Sequence, residues 1–85
     1  MSPARKLIRQ RLKDCSRAEY RALTDAAKLS PVQKSVLDLF IVERLPISEI
    51  AFRLSFCESL VRLRLAQAYD NVFRAGNWCL PTANL

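Results

Sequence analysis

Eighty-five residues carry fourteen Lys or Arg against eight Asp or Glu, a formal charge of +6, with one glycine and no histidine. A chain of this length supports one domain with a small margin of stability. The lack of histidine removes imidazole catalysis and the commonest zinc ligand, and a single glycine leaves no phosphate-cradling loop. No enzyme, cofactor or metal site is therefore expected, and the basic balance points to a polyanionic partner.

At 51% hydrophobic the chain has too much apolar content for a disordered polycation and reads as a packed domain. Cys15, Cys57 and Cys79 are odd in number and widely spaced, so they read as free thiols in a reducing compartment. The longest wholly apolar run, residues 39–42, is far below the roughly 20 residues that span a bilayer. The first residues lack the apolar segment of a secretory signal. A cytoplasmic location without membrane association is expected.

In chain order, residues 4–13 put Leu7, Ile8 and Leu12 among Arg5, Lys6, Arg9, Arg11 and Lys13, a narrow apolar stripe on a basic helix. Asp14, Cys15 and Ser16 interrupt it. Ser16-Arg17-Ala18-Glu19 has capping-box spacing and opens a second helix to about Lys28. Ser30-Pro31-Val32-Gln33 repeats the device, with proline at the first helical position, and predicts a third helix to about Glu43 in which Val36, Leu37 and Phe40 share a face. Leu45-Pro46 ends it. Residues 47–54 form a short fourth helix, with Ile50, Ala51 and Leu54 facing inward. Ser55, Phe56 and Cys57 make a turn. The last helix, residues 58–75, lines up Val61, Leu65, Ala68, Tyr69 and Val72, and Gly76 is expected to end it in the left-handed conformation. No segment alternates with period two. The expected fold is all-α, about five short helices in one domain: basic N-terminal helices over 1–28, a core over 29–75 and a tail over 76–85.

The core has the order of a helix-turn-helix: a supporting helix, a short bracing helix, a three-residue turn and a longer helix that would enter the DNA major groove. Small Ala51 would let the bracing and reading helices cross closely above Ile50, Leu54, Val61 and Leu65. Glu58, Ser59 and Arg62, with Leu63 and Ala66, would then face outward.

The residues Leu29-Ser30-Pro31, Val36-Leu37, Leu45-Pro46-Ile47-Ser48-Glu49-Ile50-Ala51-Phe52-Arg53-Leu54 and Val61-Arg62-Leu63-Arg64-Leu65 resemble two related groups. These are the promoter-recognition (region four) module of sigma factors and the LuxR-type response-regulator DNA-binding domain. Tyr69 and Val72 are similar to the LuxR-type ending, and the resemblance covers about residues 29–73. It implies contacts from Glu58, Ser59, Arg62 and Arg64, with Ser48 near the start of the bracing helix. The Arg62 fork also suits bidentate readout of guanine, and Glu58 could accept from cytosine or favour the helix N-terminus. Arg64 lies about 200° around the helix from Arg62, which fits a phosphate contact better than a base contact. The chain departs from both groups at Arg44 and Ser55, where glycine is usual, and at Cys57, where a serine cap is usual. It also has Leu60 and Leu63 where polar residues are usual. An exposed leucine pair can meet a thymine methyl or form a protein-binding patch.

The charge is unevenly spread. Residues 1–28 hold eight basic and three acidic side chains, residues 29–54 three of each, and residues 55–85 three basic and two acidic. Attraction would therefore come from the N-terminal helices, with Arg5, Lys6 and Arg9 as phosphate clamps or a minor-groove arm.

The expected function is a sequence-specific regulator that binds double-stranded DNA, most simply a repressor. It would act as a homodimer on a palindromic operator, dimerising through Phe73, Trp78 and Leu80 or through the N-terminal helix. The alternative is a protein-interaction module on the same scaffold, inhibiting RNA polymerase, a sigma factor or a nuclease.

Overall fold

A computed structural model describes residues 2–76. Among the described residues the chain is all-α, with five helices and no strand: α1 (Pro3–Asp14), α2 (Arg17–Ala27), α3 (Pro31–Ile41), α4 (Ile47–Leu54) and α5 (Glu58–Ala75). The expected homodimer residues Trp78 and Leu80 lie outside the described residues, as does Cys79. No described helix is long and apolar enough to cross a membrane.

The first three helices start the same way. Ser2, Ser16 and Ser30 are extended N-cap residues whose hydroxyls accept from the third helical amide, at 3.2, 3.1 and 3.2 Å. Each cap satisfies one of the amides that a helix start leaves without a partner. At Ser30 the box is complete, because the Gln33 side chain accepts from the Ser30 amide at 3.2 Å. At Ser16 only half of it forms: Glu19 turns to the Ser16 hydroxyl at 3.4 Å. α4 and α5 differ, since Pro46 and Cys57 stand at their N-caps and neither makes a side-chain cap bond.

Three of the helix ends required left-handed backbone, and none of them fell on the glycine. Lys28, Arg44 and Ser55 have φ of 51°, 58° and 57°. Gly76 is extended, at φ −104° and ψ 170°, which corrects the expectation for the end of α5. After α4 the turn is a Schellman closure: the Phe56 amide reaches Ala51 O at 2.9 Å and the Ser55 amide reaches Phe52 O at 3.3 Å. After α3 the Leu45 amide returns to Leu39 O at 3.0 Å, across Arg44. That reversal ends α3 at Ile41, two residues before the expected Glu43.

α5 is the hub. It packs against each of the other four helices, while α3 also touches α4. Val61, Leu65, Ala68, Tyr69 and Val72 are all buried, as their spacing demanded, and Ile8, Leu12, Tyr20, Val36, Leu37, Ile41, Ile50 and Ala51 close over them. Burial of a side chain of this size contributes roughly 1.5–3 kcal/mol before chain entropy is subtracted. Leu54 and Phe40, expected inward, are only half-buried at the margin of the core. Polar ties fasten the same joints. The Tyr20 hydroxyl donates to Asp38, which also holds Lys34 through both oxygens at 3.0 Å, joining α2 to α3. Gln33 accepts from Asn71 at 3.0 Å and joins α3 to α5.

Candidate nucleic-acid interface

The α4–turn–α5 unit exposes the first turns of α5 and covers its middle. From residue 58 to residue 64 the exposed positions are Glu58, Ser59, Arg62 and Leu63, while Val61 alone is buried. From residue 65 to residue 73 none is exposed. The exposed set coincides with four of the expected DNA-facing residues. The outward Arg62 lies 3.4 Å from Glu58 one turn back. An exposed pair of that kind contributes only about 0.3–0.5 kcal/mol, so it holds Arg62 only weakly. Ser48 is exposed in the first turn of α4. In place of side-chain caps, the third-position amides of Glu49 and Leu60 donate to Pro46 O and Cys57 O, both at 3.1 Å, and the positive ends of both helix dipoles lie at these starts.

Other expected contact residues are differently engaged. Arg5 is not a free clamp: its guanidinium forks onto Asp70, Nε to Oδ1 at 2.9 Å and Nη2 to Oδ2 at 2.8 Å, with side chains 39% and 35% exposed. The fork holds the Asp70 carboxyl below its ordinary range and raises Arg5. Arg64 turns along α5, where Nη1 donates to Gln67 at 2.9 Å and Nε is buried with no hydrogen-bond partner. Arg64 is thus half-buried and engaged within α5, unlike the exposed Arg62. Lys6 is exposed. Arg9 is half-buried and makes no hydrogen bond or ion pair among the described residues; it lines one groove together with Arg5 and Arg62.

The leucine pair separates as well, for Leu63 is 50% exposed whereas Leu60 is half-buried. The largest exposed apolar side chain is one the sequence reading did not single out. Phe52 is 83% exposed, on the face of α4 that carries Ser48 one turn earlier. The signal was present, because Ile50, Ala51 and Leu54 claim the inward stripe and Phe52 falls outside it. Phe73, expected at a dimer interface, packs partly against the core.

Of the cysteines described, Cys15 and Cys57 are free. Burial pushes the Cys15 thiol up. Comparisons of the chain with protein-family profiles, with curated proteins and with solved structures found no match.

Proposed function

We propose that the chain is a small regulator that binds double-stranded DNA sequence-specifically through the exposed half of α5. The observation that carries this reading is the set Glu58, Ser59, Arg62 and Leu63, all exposed at the start of a helix that has no exposed position from residue 65 to residue 73. A short preceding helix braces that start. Two further features support the resemblance to the sigma region-four and LuxR-type modules. Arg44 and Ser55, which stand where those groups have glycine, both have positive φ, the conformation that favours glycine. The helix starts without a side-chain cap are those of α4 and α5, where phosphate would meet the positive ends of the helix dipoles.

In this reading Arg62 reads a base edge, Glu58 and Ser59 frame it, and Leu63 meets an apolar edge such as a thymine methyl. Ser48 and the positive end of the α4 dipole hold backbone phosphate, while Arg9 and Lys6 add the sequence-independent attraction. One such module reads few base pairs, so a homodimer on a palindromic site, used as a repressor, fits the size of the chain.

Selection of bound duplexes from a random pool tests binding, symmetry and half-site spacing together. On the selected site Arg62→Ala is expected to weaken binding by about 1–3 kcal/mol and to relax selectivity at one position, with random-duplex binding nearly unchanged. Equal losses on both duplexes remove Arg62 as the reader.

A second reading is favoured by one observation. Phe52 at 83% exposure and Leu63 at 50% are apolar groups that an interaction module would cover with a protein partner such as RNA polymerase. Binding of random duplex that vanishes even at low salt, with micromolar protein, turns the choice to that reading.

A further inference from the structure

Four helices contribute to one groove of about 330 Å³: α1 through Arg5 and Arg9, α3 through Phe40, α4 through Ile47, and α5 through Arg62, Leu65, Ala66 and Tyr69. Its wall is of two kinds. Phe40, Ile47, Leu65 and Ala66 supply an apolar surface, and three guanidiniums stand around it with no carboxylate in the lining. The arginines are unequal. Arg5 is held by Asp70 and Arg62 rests near Glu58, whereas Arg9 has no ion pair or hydrogen bond among the described residues.

Tyr69 adds an unmet donor. The residue is 2% exposed and lines the groove, yet its hydroxyl is closed to solvent and has no hydrogen-bond partner. Buried polar groups are ordinarily paired, and an orphan among them calls for a partner. Burial pushes this phenol up to about 12, against an opposing influence from the Arg9 charge, so hydroxyl and guanidinium act on the same region. A mostly apolar concavity with a few convergent polar groups is the usual form of a small-molecule site.

We infer that this groove binds a small amphipathic anion, one carboxylate or phosphate on an aromatic or branched apolar body. The headgroup lies between Arg9 and Arg62 and, once the wall yields enough to uncover it, accepts from the Tyr69 hydroxyl, and the body lies on Phe40, Ile47 and Leu65. A DNA phosphate would use the guanidiniums and leave the apolar wall uncovered, so the groove fits a discrete ligand better than a polymer backbone. Arg62 also belongs to the proposed DNA face, so an occupant would compete for its guanidinium. That consequence rests on the DNA reading; the site itself does not.

The test uses the full chain without DNA, so its failure leaves the DNA reading standing and the converse also holds. Phenylacetate and phenyl phosphate are titrated while backbone amides are followed by ¹H–¹⁵N NMR, beside neutral phenylacetamide and bare acetate. At least one aromatic anion is expected to shift the amides of Arg9, Ile47, Ala66 and Tyr69 saturably, and the tighter of the two names the headgroup. Phenylacetamide and acetate are expected to bind at least about tenfold more weakly. Arg9→Gln, at a half-buried surface position, is expected to lower the affinity for the anion by about tenfold with the fold intact by the same spectra. Tyr69→Phe is expected to move two readouts in opposite directions: weaker anion binding, because the donor is gone, and a higher Tm, because the orphan hydroxyl is gone. Equal binding of the neutral amide, equal binding of acetate, shifts scattered over the surface without saturation, or an Arg9→Gln affinity equal to that of the unmodified chain each overturns the proposal.

Discussion

Two stretches of α5 teach how a small domain divides an exposed face from a holding one within a single helix. Its first seven residues present Glu58, Ser59, Arg62 and Leu63 outward and anchor through Val61, while the nine that follow present none. The second half nevertheless includes Gln67, Asp70 and Asn71. They are covered because Gln33, Arg5 and Arg64 meet them with hydrogen bonds. A half-buried polar group is tolerated when it is paired, so the holding half can look as hydrophilic as the exposed half. The partner, not the hydropathy of the residue, decides which half is which.

The sharpest way to break that division is to truncate one leucine on each side of it. Leu65→Ala removes a buried side chain and is expected to lower unfolding stability by about 2–5 kcal/mol. Leu63→Ala, two residues earlier and half-exposed, should change it by less than about 1 kcal/mol. Urea unfolding of both variants reads the difference, and similar losses erase the boundary. A smaller effect is expected at the joint that aims the bracing helix. Arg44 holds a left-handed backbone that glycine adopts without strain, so Arg44→Gly should raise stability by roughly 0.5–1 kcal/mol in the same measurement. Destabilisation would show that the Arg44 side chain matters more than its backbone.

The smallest effect concerns the tie between α1 and the holding half. Asp70 is depressed below its ordinary 3.8 by hydrogen bonds from Arg5, with help from the nearby charge of Arg74. A carboxylate lowered by folding stabilises the fold fully above the unfolded-state value, and that contribution fades as pH falls through the lower folded value. Between about pH 5 and pH 2, Asp70→Asn should therefore flatten the acid limb of the stability curve, modestly because both partners are partly exposed. An unchanged slope would mean that the fork does not couple folding to protons.

Much of this organisation was legible in the sequence. Ser16, Ser30, Pro31 and Pro46 mark helix starts through local chemistry, and the stripe from Val61 to Val72 marks the buried face through its period. What escaped notice was non-local or imposed by packing. Arg5 and Asp70 lie 65 residues apart, and nothing near Arg5 shows that its charge is already taken. The single glycine drew the left-handed assignment to Gly76, yet the chain reversals after α2, α3 and α4 put that conformation on Lys28, Arg44 and Ser55. Local preference identifies who adopts positive φ easily, not where the fold demands it. The candidate site was half visible: the outward face of α5 follows from its inward one, while the groove uniting Arg9, Arg62 and Tyr69 requires α1 to lie across α5.

The contrast in helix starts carries a consequence for motion. Serine hydroxyls pin the first turns of α1, α2 and α3, whereas α4 and α5 begin without one. Opening therefore begins most easily at the tips of the bracing and reading helices, as fraying that leaves the Leu65–Val72 packing undisturbed. The surface offered to a partner can adjust its backbone over nanoseconds to microseconds while the body of the domain stays folded.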